Sequence, residues 1–145
     1  MGWLTLTHTQ RWHAHHLTVG HGHLYQGRFK SFVVEESDAL FTVCRYVERN
    51  ALRAGLVEQA EQWRWGSAWQ RGGGSSPVLL TEWPVEQPPD WMTWVNAPQT
   101  ESELAALRQS VIKGQPFGAP SWVEHLVRRW SLGSTLRLRG RPRKK

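Results

Sequence analysis

The sequence has little cysteine, no long apolar run and no acidic residue at either end. Cys44 is the only cysteine, which excludes an internal disulfide and fits a reducing compartment. No run approaches the roughly 18 apolar residues of a membrane span, and no charged-then-apolar leader opens the chain. These absences predict a cytoplasmic protein that has no membrane partner.

The acidic residues are unevenly distributed. None occurs in residues 1–34 or 125–145, and the second of these ranges contains eight Lys/Arg. Because the whole chain carries a net charge of +6 at pH 7, the residues before 125 are close to neutral and the C-terminal end is strongly basic. A near-neutral body with a basic tail predicts a polyanionic partner, reached chiefly through that tail.

The first half of the chain has mostly helical patterns. Residues 4–17 suit a helix, whereas residues 27–34 are rich in aromatic and β-branched residues and predict a short strand. Ser37 is a good N-cap for a helix over about 38–50, and Gly55 suits the end of that region. The apolar face expected for this helix comprises Leu40, Val43, Cys44 and Val47.

Tryptophan and proline dominate the middle of the chain. We expect Trp63, Trp65 and Trp69 to be core anchors and not a ligand cage. Residues 72–77 read as a linker, and residues 78–99 as an irregular covering segment.

Two capping boxes predict helices near the C-terminus. One begins at Thr100 with Glu103, and the other at Ser121 with Glu124. The connection over 114–120 is longer than the turn of a helix-turn-helix motif, which favours a plain helical hairpin. The expected organisation is therefore 1–70, a domain bearing the tyrosine helix; 71–99, a linker and Pro/Trp-rich segment; 100–132, a hairpin; and 133–145, a basic tail.

Tyr46 and Asn50 are the residues to which the sequence gives a chemical interpretation. They are spaced i, i+4 on the predicted helix, so their side chains would share one face. A tyrosine hydroxyl can be a nucleophile, and an amide oxygen can bind a hard divalent cation that polarises a phosphate. The alternative is an ordinary half-buried aromatic beside a helix-end residue.

An ordered set of motifs extends this interpretation. GHLYQGRFKSF (22–32), RYVERNALRAGLV (45–57) and W-x-W-x-S (63–67) together resemble the REP-associated tyrosine transposases, a family of single-tyrosine transposases with a His-hydrophobic-His (HUH) metal motif. The resemblance covers roughly residues 1–70. It implies a mainly α chain with a short strand segment, forming the C-terminal part of an α+β, ferredoxin-like HUH domain, followed by the hairpin and tail.

The resemblance also implies roles for residues. Tyr46 would be the nucleophile that cleaves and joins hairpin single-stranded DNA through a phosphotyrosine link during transposition, and Asn50 would help to bind Mg²⁺ or Mn²⁺. Two positions depart from the family pattern: Ala51 replaces a proline, and Tyr25 replaces a tryptophan. Tyr25 is therefore expected to pack or to contact a base.

The metal-binding histidines of the family are the main departure. In the family they precede the Gln-x-Arg-Phe motif on a strand, but this chain begins only about 25 residues before that motif. His13-Ala14-His15 fits the motif formally and His21-Gly22-His23 is close to it, yet i and i+2 side chains diverge on a helix. We therefore expect a truncated member that binds DNA without efficient cleavage, which leaves its status as an enzyme open.

The expected DNA contacts fall in two segments. Cations and rings near the first motif suit single-stranded or hairpin DNA; they are Tyr25, Gln26, Arg28, Phe29 and Lys30. RGRPRKK (139–145) resembles an AT-hook for A·T-rich duplex. The residues of this tail expected to bind are Arg137, Arg139, Gly140, Arg141, Pro142, Arg143, Lys144 and Lys145.

Three alternatives stay open at this point. The tail is also compatible with a disordered, non-specific polycation. The whole chain could be a non-catalytic regulatory protein that engages A·T-rich duplex through the tail. A remnant that folds poorly would unfold broadly and without cooperativity.

Overall fold

The structure, a computed structural model, describes residues 2–25 and 30–137. These residues are mainly helical and form no sheet, and they fall into two compact units that divide after Ser31. The helices are α1 (Gly2–His16), α2 (Asp38–Glu48), α3 (Asn50–Arg53), α4 (Ser67–Arg71), α5 (Trp91–Asn96), α6 (Glu101–Lys113), α7 (Pro120–Arg129) and α8 (Gly133–Leu136), with a 3₁₀ turn at Ala60–Gln62.

Helix α1 forms the first unit where the sequence predicts a helix. It buries none of its residues within that unit and ends before Leu17, whose φ is +54°. The predicted strand over 27–34 is wrong for the residues described, because 30–33 have no regular structure. Within residues 30–137, Val34 makes only an isolated parallel bridge to Phe117.

Helix α2 begins as predicted but buries a different face. The Ser37 hydroxyl accepts a hydrogen bond from the Ala39 N–H, which confirms the N-cap. The buried residues of α2 are the charged Arg45 and Glu48, whereas Val47 is 61% exposed. Of the predicted apolar face, Cys44 packs against the core together with Phe41, whereas the prediction for Val47 is wrong.

Helix α3 follows α2 after a break at Arg49 and ends in a left-handed glycine. Gly55 has a φ of +69°, a conformation that costs other residues energy. Its N–H donates to the Leu52 carbonyl, and the Leu56 N–H donates to the Ala51 carbonyl. This pair of bonds is a Schellman motif, and it confirms the role expected of Gly55.

The core of the second unit is built from tryptophans other than those predicted. Trp91 and Val95 of α5 are buried with Ala60 and Ala68, and Trp83 and Trp94 pack against them. The expectation for Trp65 is wrong, because its side chain is 73% exposed. The segment predicted to be an irregular cover thus supplies a helix and much of the core.

The two predicted capping boxes have opposite outcomes. Thr100 and Glu103 cap each other's backbone at the start of α6, as expected. Ser121 caps nothing, because α7 begins at Pro120, two residues before the predicted start, and Ser121 lies inside its first turn. Proline fits there since its missing N–H would have no helical partner, and the preceding Ala119 N–H donates to the Glu35 carboxylate at 2.7 Å.

No helix in the described part of the chain is long and apolar enough to cross a membrane.

Candidate functional site

The RYVERN motif has an inner side and an outer side on α2. Arg45 is 4% exposed and Glu48 is 8% exposed, and both face the core of the second unit. Tyr46 is half-buried, and Asn50, at the start of α3, is exposed. The motif therefore combines residues that hold the fold with residues that are accessible to a ligand.

Arg45 and Arg49 hold α5 by its carbonyl end. Arg45 donates from Nε to the Trp94 carbonyl at 2.8 Å and from Nη2 to the carbonyls of Ala97 and Pro98 at 2.9 Å. Arg49 donates to the carbonyls of Val95 and Asn96. The last carbonyls of a helix lack intrahelical partners and carry a partial negative charge. The two guanidinium groups therefore supply both hydrogen-bond donors and positive charge at this end of α5.

Glu48 joins three parts of the second unit. Its two carboxylate oxygens accept hydrogen bonds from the Ser67 hydroxyl at 2.6 Å and the Trp91 indole N–H at 2.7 Å. Burial of the neighbouring Cys44 thiol, together with the Glu48 charge, raises the pKa of Cys44. Glu48 and Cys44 are thus structural and not exposed reactive groups.

Three residues form the outer side, called here the Tyr46 face: Tyr46, Asn50 and Arg53. The guanidinium carbon of Arg53 lies 4.1 Å from the centre of the Tyr46 ring, a cation–π distance. Arg53 Nη2 also donates to Asn50 Oδ1 at 2.6 Å. Arg53 thus brings together the two residues that the sequence singled out, and it adds a positive charge beside the Tyr46 ring.

A groove lies beside the Tyr46 face. The groove has a volume of about 350 Å³. Asn50 belongs to the Tyr46 face and also lines the groove. We call this cavity the Trp65 groove; its lining includes Val47, Glu48, Asn50, Leu56, Trp63 and Trp65. Arg64 lies over the exposed indole of Trp65, with its guanidinium carbon 4.5 Å from the ring centre.

The residues described around Tyr46 do not fit a divalent-metal site. The amide oxygen of Asn50 already accepts a hydrogen bond from the Arg53 guanidinium, and a metal ion would have to displace this group. Among residues 2–25 and 30–137 no three His, Cys, Asp or Glu side chains converge as metal ligands. Mg²⁺ and Mn²⁺ therefore stay an implication of the resemblance.

The histidine pair that fits the family spacing lies on helix α1 and not on a strand. His13 Nδ1 is hydrogen-bonded to the Thr18 hydroxyl at 2.9 Å, and the His15 ring meets the His16 ring edge-on at 4.8 Å. The two side chains are thus engaged by different neighbours. His21 and His23 are exposed in the loop that follows.

Tyr25 packs back onto α1, which fits the packing alternative expected for it, whereas contact with a base stays a prediction. Its hydroxyl is 2.7 Å from His8 Nδ1, and the His8 ring also approaches Trp12. The other residues of this expected DNA-binding segment are less informative. Lys30 is exposed, whereas Gln26, Arg28 and Phe29 lie outside the described residues.

The basic tail is described only at its first residue. Arg137 is exposed and extended after α8. The remaining predicted tail contacts, Arg139, Gly140, Arg141, Pro142, Arg143, Lys144 and Lys145, lie outside the described residues. Arg128 and Arg129 in the last turn of α7 are exposed and extend the basic character into the folded part.

Arg53 is the site residue that the sequence interpretation missed. Tyr46, Asn50 and Arg53 are spaced i, i+4, i+7, the repeat of one helical face. The signal is present in the sequence, but a helix predicted to end near residue 50 does not extend this face to Arg53.

No protein family, curated protein or solved structure matches this chain with significant similarity. The Tyr46 face and the Trp65 groove are therefore the basis for an assignment of function, together with the motifs in the sequence.

Proposed function

We propose that this protein binds DNA as a relative of the REP-associated tyrosine transposases, with the Tyr46 face contacting the backbone of a hairpin-bearing single strand. In this proposal α2 corresponds to the tyrosine-bearing helix of an α+β, ferredoxin-like HUH domain. The chain binds the strand; efficient cleavage is not part of the proposal.

The observation that carries the proposal is the position of Arg53, within reach of both Tyr46 and Asn50. A guanidinium is well suited to a phosphate because its N–H donors match two oxygens at once. Here it lies exposed beside a phenol ring and an amide, on a surface that the core does not need. A phosphodiester bound by Arg53 would lie close to the Tyr46 side chain.

The inner side of the motif gives the Tyr46 face a rigid base. Arg45, Arg49 and Glu48 fix α2 to α5 and α4 through hydrogen bonds. A site on packed helices holds its geometry better than a site on a loop. This supports a defined phosphate position beside Tyr46 and not a diffuse basic surface.

The first experiment compares three fluorescent DNAs by anisotropy: a hairpin with a single-stranded flank, an unstructured strand of the same length and an A·T-rich duplex. We expect the full chain to prefer the hairpin strand, and Tyr46→Phe to bind it equally well because the ring under Arg53 is kept. Equal binding of the hairpin and the unstructured strand would refute the proposal.

The second experiment tests whether the protein only binds DNA or also cleaves it. The 5′-labelled hairpin strand is incubated with the protein and Mg²⁺ or Mn²⁺, then resolved under denaturing conditions. We expect no covalent adduct. An adduct that Tyr46→Phe abolishes would mean that this chain cleaves DNA itself and would overturn the binding-only form of the proposal.

A second candidate function is duplex binding without any role for Tyr46. The exposed Arg128 and Arg129 favour it, since they precede an acid-free tail resembling an AT-hook. Deletion of residues 137–145 separates the two candidates. It should abolish duplex binding and only weaken hairpin binding if the transposase-like proposal is correct, whereas loss of both would favour the tail alone.

A further inference from the structure

Exposed apolar side chains converge on the Trp65 groove. Trp65 is 73% exposed, Leu56 is 62% exposed and Val47 is 61% exposed, and all three line the same cavity. Apolar side chains scattered singly over a surface need no explanation, but a contiguous set around a concave site indicates a ligand. The fold itself does not account for this set, since the core is formed by other tryptophans.

The dimensions and lining of the groove suit a flat heteroaromatic group. Its volume of about 350 Å³ falls at the small end of the range for ligand sites. Trp63 and Trp65 offer indole rings, on which bases stack without regard to sequence. Asn50 places an amide in the lining, and its Nδ2 makes no hydrogen bond within the described part of the chain, so it can donate to a base edge.

Two cations contact residues that line the groove. Arg53 Nη2 donates to Asn50 Oδ1, and Arg64 lies over the exposed ring of Trp65. The one carboxylate in the lining, Glu48, is already paired with Ser67 and Trp91. Aromatic side chains beside arginines suit a strand whose bases stack while its phosphates contact the cations.

We propose that the Trp65 groove is a binding site for one unpaired nucleobase, stacked on Trp65 and next to the phosphate that Arg53 contacts. This inference rests on the proposed function, because it assigns the nucleotide adjacent to the Tyr46 face. It predicts that the protein reads the presence of a base at one position of the strand and not only the charge of its backbone.

The experiment uses the four 2′-deoxynucleoside 5′-monophosphates, one at a time, with the full chain in saturation-transfer NMR. We expect at least one of them to receive saturation from the protein through its base protons. Trp65→Ala should weaken that binding roughly tenfold, whereas Trp65→Phe should retain most of it because an aromatic ring remains. The matched control is Leu79→Ala, which truncates an exposed apolar residue outside the lining of the groove and should change nothing.

A strand experiment separates this inference from the proposed function. An abasic site is moved one position at a time along the single-stranded flank of the hairpin DNA. We expect one position at which loss of the base weakens binding in the wild type but not in Trp65→Ala. If the hairpin is bound but no position is sensitive, the groove inference fails while the proposed function stands.

Two further outcomes would overturn the inference. One is the absence of saturation transfer to all four nucleotides, whether or not the hairpin strand binds. The other is reversible self-association in sedimentation velocity that Trp65→Ala abolishes and nucleotide does not compete with, since the groove would then be covered by a second copy of the chain.

Discussion

Arg53 Nη2 donates to Asn50 Oδ1 at 2.6 Å while the same guanidinium lies over the ring of Tyr46. One side chain therefore determines the chemical surroundings of the other two. If the Tyr46 face contacts DNA, Arg53 supplies its positive charge.

Arg53→Ala should weaken binding of the hairpin strand by about 1–2 kcal/mol, because a charge-assisted hydrogen bond to phosphate is lost. The slope of log Kd against log salt should also fall by about 0.7, the value for one phosphate on a single strand. Anisotropy titrations at several salt concentrations measure both quantities. Arg108→Ala, on an exposed position of α6, is the control, and an equal effect there would remove the special role of Arg53.

Arg45→Ala should destabilise the fold by roughly 3 kcal/mol, because the carbonyls of Trp94, Ala97 and Pro98 would lose their donors in a partly buried place. Urea unfolding should show a lower midpoint with an unchanged slope. The exposed Arg108→Ala should stay within about 0.5 kcal/mol of the wild type. A similarly small effect for Arg45→Ala would show that water replaces the guanidinium.

Glu48→Ala should cost about 2–3 kcal/mol, since the Trp91 indole N–H and the Ser67 hydroxyl would lose their acceptor and a void would form. Glu48→Gln keeps one oxygen acceptor and most of the volume, so it should cost less than Glu48→Ala. Thermal or urea unfolding of the two variants measures the difference. If both variants lose the same free energy of unfolding, the negative charge of Glu48 matters more than its hydrogen-bond acceptors.

Glu103 should make the fold sensitive to acid. The backbone N–H of Thr100, followed by the Thr100 hydroxyl and the Arg45 charge, lowers the pKa of Glu103, although burial opposes them. A carboxyl with a lowered folded pKa contributes stability above its unfolded value of about 4.5, and this contribution is lost as pH falls through the folded pKa.

The stability difference between wild type and Glu103→Gln measures this effect. It should be constant from neutral pH down to about pH 5 and shrink at lower pH. A difference that does not depend on pH would mean that the capping geometry alone, which glutamine can imitate, accounts for the role of Glu103.

Local signals in the sequence predicted the helix ends well where one residue decides them. Ser37, Gly55 and Thr100 act through hydrogen bonds or backbone conformations within a few residues, so their effect is visible in the sequence. Ser121 misled because Pro120 also suits a first turn, and Glu35, distant in sequence, supplies the acceptor for Ala119.

Burial was harder to predict because it depends on distant partners. The hydrophobicity pattern predicted Val47 on the buried face, yet Val47 is exposed and Arg45 is buried, because Arg45 finds its carbonyl acceptors in and just after α5. The same limit applies to tryptophan: nothing local distinguishes Trp65, which is exposed, from Trp91, which is buried. The spacing of Tyr46 and Asn50 was sufficient to predict a shared face. The Trp65 groove could not be predicted in this way, because it forms only when residues 47–67 pack together.

The arginine contacts to α5 also set an order of events during synthesis. Helix α5 has six residues, too few to be stable alone, and its carbonyl end is satisfied by side chains that lie 46 to 53 positions earlier in the chain. As the polypeptide leaves the ribosome, Arg45 and Arg49 therefore lack their full set of carbonyl acceptors until Pro98 has emerged. Until then two guanidinium groups and a tyrosine are displayed on a nascent chain whose core does not yet exist.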